Sequence, residues 1–108
     1  MKIAYIVEDS IINITLIDIY FTEAKITPIF LHRFKDCLNL AKIKRPDLII
    51  IDWLVAGKQT ENRDKLVDFC LKNNIKSCVF SDYPNNIGMP IFPKDLTPTC
   101  KMIEWAKA

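Results

Sequence analysis

The sequence predicts one α/β domain, residues 1–108, built on a parallel five-stranded sheet. Ile3-Ala4-Tyr5-Ile6-Val7 and Leu48-Ile49-Ile50-Ile51 are continuous apolar runs without polar alternation, as expected of strands covered on both faces. Segments of helical periodicity alternate with such runs, and right-handed crossovers then leave few topologies besides a parallel sheet with helices packed on it. The runs also stop on polar side chains: Glu8 and Asp9 after the first, Asp52 after Ile51, Ser81 after Cys78-Val79-Phe80, and Lys94 after Ile91-Phe92-Pro93. In a parallel sheet these ends share one edge, where open α/β proteins bind ligands.

Residues 3–7 form the first strand. Ser10 is placed to cap a helix in which Ile11, Ile14, Leu16, Ile17, Tyr20 and Phe21 recur at helical spacing, as far as Ala24 or Lys25. Thr27-Pro28 breaks that helix, since proline lacks the backbone donor, and Ile29-Phe30-Leu31 reads as the second strand. A short helix opens at Asp36, carries Leu38, Leu40, Ala41 and Ile43, and ends before Pro46-Asp47. Leu48 to Ile51 is the most hydrophobic strand and therefore central. From about Asn62, residues Leu66, Val67, Phe69, Cys70 and Leu71 mark a third helix. Asn73-Asn74 closes it, asparagine tolerating the left-handed backbone at a helix end. Ser77 to Ser81 is the fourth strand and Ile91 to Pro93 a short fifth. Thr97-Pro98 supplies a cap and a first-turn proline for a last helix containing Cys100, Met102, Ile103 and Trp105.

Half of the residues are hydrophobic and 26% are charged, a composition that supports a packed core and excludes intrinsic disorder. The net charge of +2 arises from 15 basic and 13 acidic residues scattered along the chain, with no basic stripe to neutralise a row of phosphates, so no nucleic-acid partner is expected. No apolar stretch approaches the roughly 20 residues that cross a bilayer, and Met1-Lys2-Ile3 runs straight into a strand, leaving no signal peptide; the expectation is a cytoplasmic protein without a membrane partner. Cys37, Cys70, Cys78 and Cys100 lack the spacing of zinc or redox pairs and read as small buried hydrophobes. Neither glycine-rich phosphate-binding motif is present. His32 reads as a surface or edge residue, and Lys42-Ile43-Lys44-Arg45 as a solvated helix end favoured by the helix dipole.

The strand-end cluster carries the chemistry. Two unit charges about 4 Å apart repel by roughly 4 kcal/mol at an effective dielectric of 20, so three neighbouring carboxylates need cationic company. Lys94 is one such charge, and a hard divalent metal is the natural second because every available ligand is oxygen; this favours Mg²⁺ over zinc. A carboxylate beside Mg²⁺, a lysine and a hydroxyl suits phosphoryl transfer to aspartate, with Asp52 as nucleophile and Ser81 hydrogen-bonding the phosphoryl group.

On these residues the chain resembles the receiver domains of two-component response regulators, from Ile3 through the last helix. The resemblance implies a three-layer flavodoxin-like fold with strand order 2-1-3-4-5. It implies Asp52 as phosphoacceptor, Ser81 as switch hydroxyl and Lys94 as the strand-five lysine. For Mg²⁺ it implies Asp9 and Asp52 as direct ligands, Glu8 acting through water, and the backbone carbonyl of Leu54. The implied phosphoryl donor is a phosphohistidine on a sensor histidine kinase or phosphotransfer protein, and the signal passes to a downstream protein without enzymatic turnover of a substrate.

The sequence departs from the family between Ser81 and Lys94. Pro84 and Pro90 enclose only Asn85-Asn86-Ile87-Gly88-Met89, so the helix expected between the last two strands is missing or replaced by a loop. Its loss predicts an exposed apolar patch over strands four and five, suited to a partner or to a homodimer. Asp82 adds bulk and charge after Ser81, and Asp95 stands where the family has proline. Ile91 occupies the usual aromatic position, while Phe92 points to the opposite sheet face. The alternative reading is thus a pseudo-receiver, a phosphorylation-independent binding or dimerisation module. A Mg²⁺-dependent hydrolase is weaker, because no separate general acid or base is visible.

Overall fold

The computed structural model describes residues 2–53, 60–81, 87–94 and 96–108, with backbone only for residues 60 and 96–100. The elements are β1 (Lys2–Val7), α1 (Ile11–Glu23), β2 (Ile26–Leu31), α2 (Phe34–Ile43), β3 (Leu48–Asp52), α3 (Thr60–Lys72), β4 (Lys76–Phe80), β5 (Ile91–Phe92) and α4 (Leu96–Lys107). All strand pairings are parallel, in the order β2-β1-β3-β4-β5. This is the expected flavodoxin-like sheet, and residues 87–90 contain no helix.

Strand alternation divides the core in two. Tyr5, Val7, Ile49, Ile51 and Val79 face α2 and α3, meeting Phe34, Cys37, Leu38, Leu66, Val67 and Cys70. Ala4, Ile6, Leu48, Ile50, Cys78 and Phe80 face the other way, against Ile17 and Phe21 of α1 and Met102, Ile103 and Ala106 of α4. Every residue of β3 is buried, which explains its unbroken apolar sequence. Cys37, Cys70 and Cys78 are free and buried, as expected. Burial pushes the Cys37 thiol up to about 12 and that of Cys70 to about 11, so neither is a thiolate at neutral pH. The Cys100 side chain lies outside the described residues.

Several boundaries differ from the sequence reading, and at β2 a distant pairing overrides a local signal. β2 begins at Ile26 and includes Pro28, which pairs with Ala4. An edge strand tolerates proline, and the β1 ladder extends through it. α1 ends instead through Lys25, held at φ 61°, after Ala24 N–H donates to Tyr20 O. α2 starts at Phe34, with Asp36 in its first turn paired to Arg33 at 2.9 Å. α4 starts at Leu96, which puts Thr97 inside the helix rather than at its cap. The asparagine stop to α3 is present: Asn74 sits at φ 52°. Arg45, exposed as expected, reaches across to donate to the carbonyls of Asn73 and Asn74 at 2.8 and 3.1 Å. Asp47 joins β1 to β3, its Oδ2 accepting from Ile3 N at 2.7 Å.

The apolar patch expected over β4 is not found among the described residues. Val79 is fully buried, Met89 is 8% exposed, and Ile87 and Ile91 pack partly buried against the same cluster. The segment before β5 therefore plugs with side chains the face that a helix was expected to cover. Pro90 and Pro93 flank β5, limiting further pairing at that edge.

Lys25 offers a direct test of the α1 stop. A left-handed backbone costs a non-glycine residue about 1 kcal/mol, so Lys25→Gly is expected to raise stability by about 0.5–1 kcal/mol. Ala24→Gly, at φ −81°, has no such strain to relieve and should lower it. Urea midpoints of the two variants decide the matter.

Candidate functional site

Parallel pairing brings the predicted residues to one edge. β1 delivers Glu8 and Asp9, β3 ends on Asp52, β4 leads into Ser81, and Lys94 follows β5. The register that pairs Val7 with Ile51, Asp52 with Phe80 and Phe80 with Phe92 sets these ends level. Carboxylate oxygens of Glu8, Asp9 and Asp52 lie within 4.8 Å of one another. Lys94 Nζ stands 2.7 Å from Asp52 Oδ1 and 3.8 Å from Glu8 Oε2. Glu8 and Asp52 are almost fully buried and Asp9 is more open. Ser81 is 3% exposed, and its N–H donates to Phe92 O at 3.0 Å, tying the end of β4 to the strand that carries Lys94. Leu54, Asp82 and Asp95 lie outside the described residues.

Glu8 does work that the sequence assigned elsewhere. Ser10 occupies the N-cap of α1 but makes no side-chain cap hydrogen bond. Glu8 Oε1 instead accepts from the N–H groups of Asp9 and Ser10 at 3.1 and 3.0 Å, and its Oε2 accepts from Asn13 Nδ2 at 3.4 Å. A carboxylate at a helix N-terminus gains from the dipole. Burial nevertheless pushes its carboxyl up to about 7; the Ser10 N–H and Lys94 oppose the rise, and the neighbouring Asp52 adds to it. Sequence reasoning missed Asn13, whose only signal is its place in the first turn of the helix that Glu8 precedes.

It also missed Arg63. The guanidinium carbon lies 3.7 Å from the centroid of the Trp53 ring, and Nη1 donates to Trp53 O at 3.3 Å. The residue after Asp52 is thus gripped by α3 through both its ring and its carbonyl.

The cluster fits a hard cation. Its donors are carboxylate oxygens at mutual distances that one ion spans, and Lys94 supplies a single positive charge against three acids. Phe92 lies on the α4 side of the sheet, its ring 5.8 Å from that of Trp105, while Ile91 packs on the α2–α3 side. The aromatic is therefore on the face expected from strand alternation. His32 is exposed.

No family model matches the sequence, and no curated protein sequence matches it. Solved structures do. The receiver domain of a sensor histidine kinase from Pseudomonas aeruginosa, with magnesium coordinated in its active-site cleft, superposes with a TM-score of 0.79 at 12% identity, covering 99% of this chain and 98% of that one. The receiver domain of a signal-transduction histidine kinase from Syntrophus aciditrophicus also gives 0.79, at 15% identity over 99% and 90% of the two chains. A receiver domain from Vibrio parahaemolyticus gives 0.73, at 17% identity over 98% and 92%. The chain has the fold of a response-regulator receiver domain, as its strand-end residues led one to expect.

Proposed function

We propose that this chain is a phosphoacceptor receiver in a two-component phosphorelay, taking a phosphoryl group on Asp52 and passing the signal through protein–protein contacts. The observation that carries this reading is the Lys94 ammonium 2.7 Å from Asp52, with the Glu8 and Asp9 carboxylates beside them. An oxygen of Asp52 attacks the phosphorus of a phosphohistidine on a sensor histidine kinase or phosphotransfer protein. The P–N bond breaks, its electron pair leaves with the imidazole, and an acyl phosphate remains on Asp52. Lys94 offsets charge on the phosphoryl oxygens, and Ser81 donates to one of them. Asp9 and Asp52 would hold Mg²⁺ directly, with Glu8 acting through water and Leu54 contributing its carbonyl. When bound, Mg²⁺ supplies further positive charge to the phosphoryl group. The module acts in the cytoplasm as a signalling switch, not as an enzyme turning over a substrate. No helix among the described residues is long and apolar enough to cross a membrane.

Acetyl phosphate with Mg²⁺, followed by intact mass, tests the proposal. Wild type is expected to gain one phosphoryl group and Asp52→Asn none; an unlabelled wild type beside a labelled control receiver defeats the reading. One observation favours a second reading. Phe92 is engaged with Trp105 on the α4 face, so the usual serine–aromatic relay has no aromatic at Ile91 to use. A pseudo-receiver that binds its partner, or a second copy, without phosphorylation would keep full partner binding in Asp52→Ala.

A further inference from the structure

We propose that Arg63 is a positioning residue for Asp52: by stacking on Trp53 and donating to its carbonyl, it fixes the peptide leading out of the phosphoacceptor and so the aim of that carboxylate. This rests on the phosphoacceptor reading above. The geometry is specific, with the guanidinium 3.7 Å over the indole and Nη1 3.3 Å from the carbonyl oxygen.

Folding alone gives little reason for this side chain. Arg63 lies in the first turn of α3, the positive end of the helix dipole, where a cation is disfavoured. Its side chain is only 16% exposed, and its Nε is buried without a hydrogen-bond acceptor among the described residues. Asp64 Oδ1, the carboxylate oxygen paired with it, stands at 3.6 Å, too far for a hydrogen bond, on a side chain that is 68% exposed. A cation in the first turn of a helix opposes the helix dipole and weakens the fold. What the arrangement provides is a two-point grip, face and carbonyl, on the residue that follows Asp52. Only a planar guanidinium makes both contacts together; a lysine ammonium can make one or the other. In-line attack is sensitive to such aim, since a displacement of about 1 Å can cost roughly a hundredfold in rate.

Arg63→Met and Arg63→Lys, compared with wild type, test the assignment. Both are expected to take up phosphate from acetyl phosphate about 10- to 100-fold more slowly, with a thermal midpoint equal to or above that of wild type. Labelling of Arg63→Met at the wild-type rate overturns the proposal. A wild-type rate for Arg63→Lys alone also overturns it, by showing that charge and not placement matters. Should Arg63→Met fail to fold, Arg63→Lys carries the comparison. Hydrogen exchange of the Asp52 and Trp53 amides separates this proposal from the reading beneath it. If wild type takes no phosphate, the phosphoacceptor reading falls. Faster exchange at Trp53 in both variants would still establish the grip, and unchanged exchange would remove it.

Discussion

Lys94→Met is expected to lower stability by about 3 kcal/mol in Mg²⁺-free buffer at pH 8, the lower end of what losing one partner of a buried ion pair costs. The lower end applies because the Lys94 side chain keeps 21% exposure, although Asp52, 2.7 Å away, keeps 3%. Without the ammonium, Asp52 faces Glu8 and Asp9 with no compensating charge from β5. For a domain of this size the loss corresponds to a fall in Tm of roughly 10–20 °C. Two further results distinguish this cause from simple loss of packing. Lowering the pH to 5.5 protonates Glu8, whose carboxyl burial raises to about 7, and should recover part of the difference, and Mg²⁺ should recover part of it at pH 8 by replacing the missing charge. A variant equally destabilised under all these conditions would show that Lys94 acts through its methylene stem and not its charge.

Glu8→Gln should have the opposite sign. The Glu8 carboxyl ionises near 7 in the folded protein, against an ordinary 4.5, because burial disfavours the charged form. Between those two values the folded chain holds a proton that the unfolded chain has released. Stability therefore falls as pH rises through this window and is level above it. At 1.36 kcal/mol per pH unit the full window is on the order of 3 kcal/mol. Glutamine removes the titrating group yet keeps an oxygen for the Asp9 and Ser10 N–H groups. The variant should thus be more stable than wild type at pH 8 without Mg²⁺, and the gap should close as pH approaches 4.5. Millimolar Mg²⁺ should also narrow it, since the ion favours the ionised carboxylate of wild type. Urea denaturation of both proteins at several pH values measures the difference directly; a gap independent of pH would exclude Glu8 as its source.

These expectations concern residues that were legible in the sequence. Glu8, Asp9, Asp52, Ser81 and Lys94 follow apolar runs, and a run with its terminating residue is local information. Parallel topology then converts similar places in the sequence into one place in space. The absence of a helix from residues 87–90 was legible too, because Pro84 and Pro90 leave too few residues between them for one.

The contacts that tune the site were not legible, because they join residues through folding. Ser10 carries a good cap signal, yet the cap is made by Glu8, which the turn brings back over the start of α1. Pro28 carries a good break signal, yet six pairings with β1 outweigh it. The uncovered face implied by a missing helix was closed by Met89 and Ile87, whose apolar character is plain in the sequence but whose destination is not. Arg63 lies well beyond Trp53 in sequence, and only the docking of α3 sets guanidinium on indole.

Pattern and order thus specified the sheet, its ligand edge and the acids and lysine gathered there, since periodicity and strand termination are properties of neighbouring residues. The elevated carboxyl of Glu8, the short Lys94–Asp52 contact and the Arg63 grip came from the assembled fold. Desolvation and charge proximity depend on what lies across space, and a sequence records only what lies alongside.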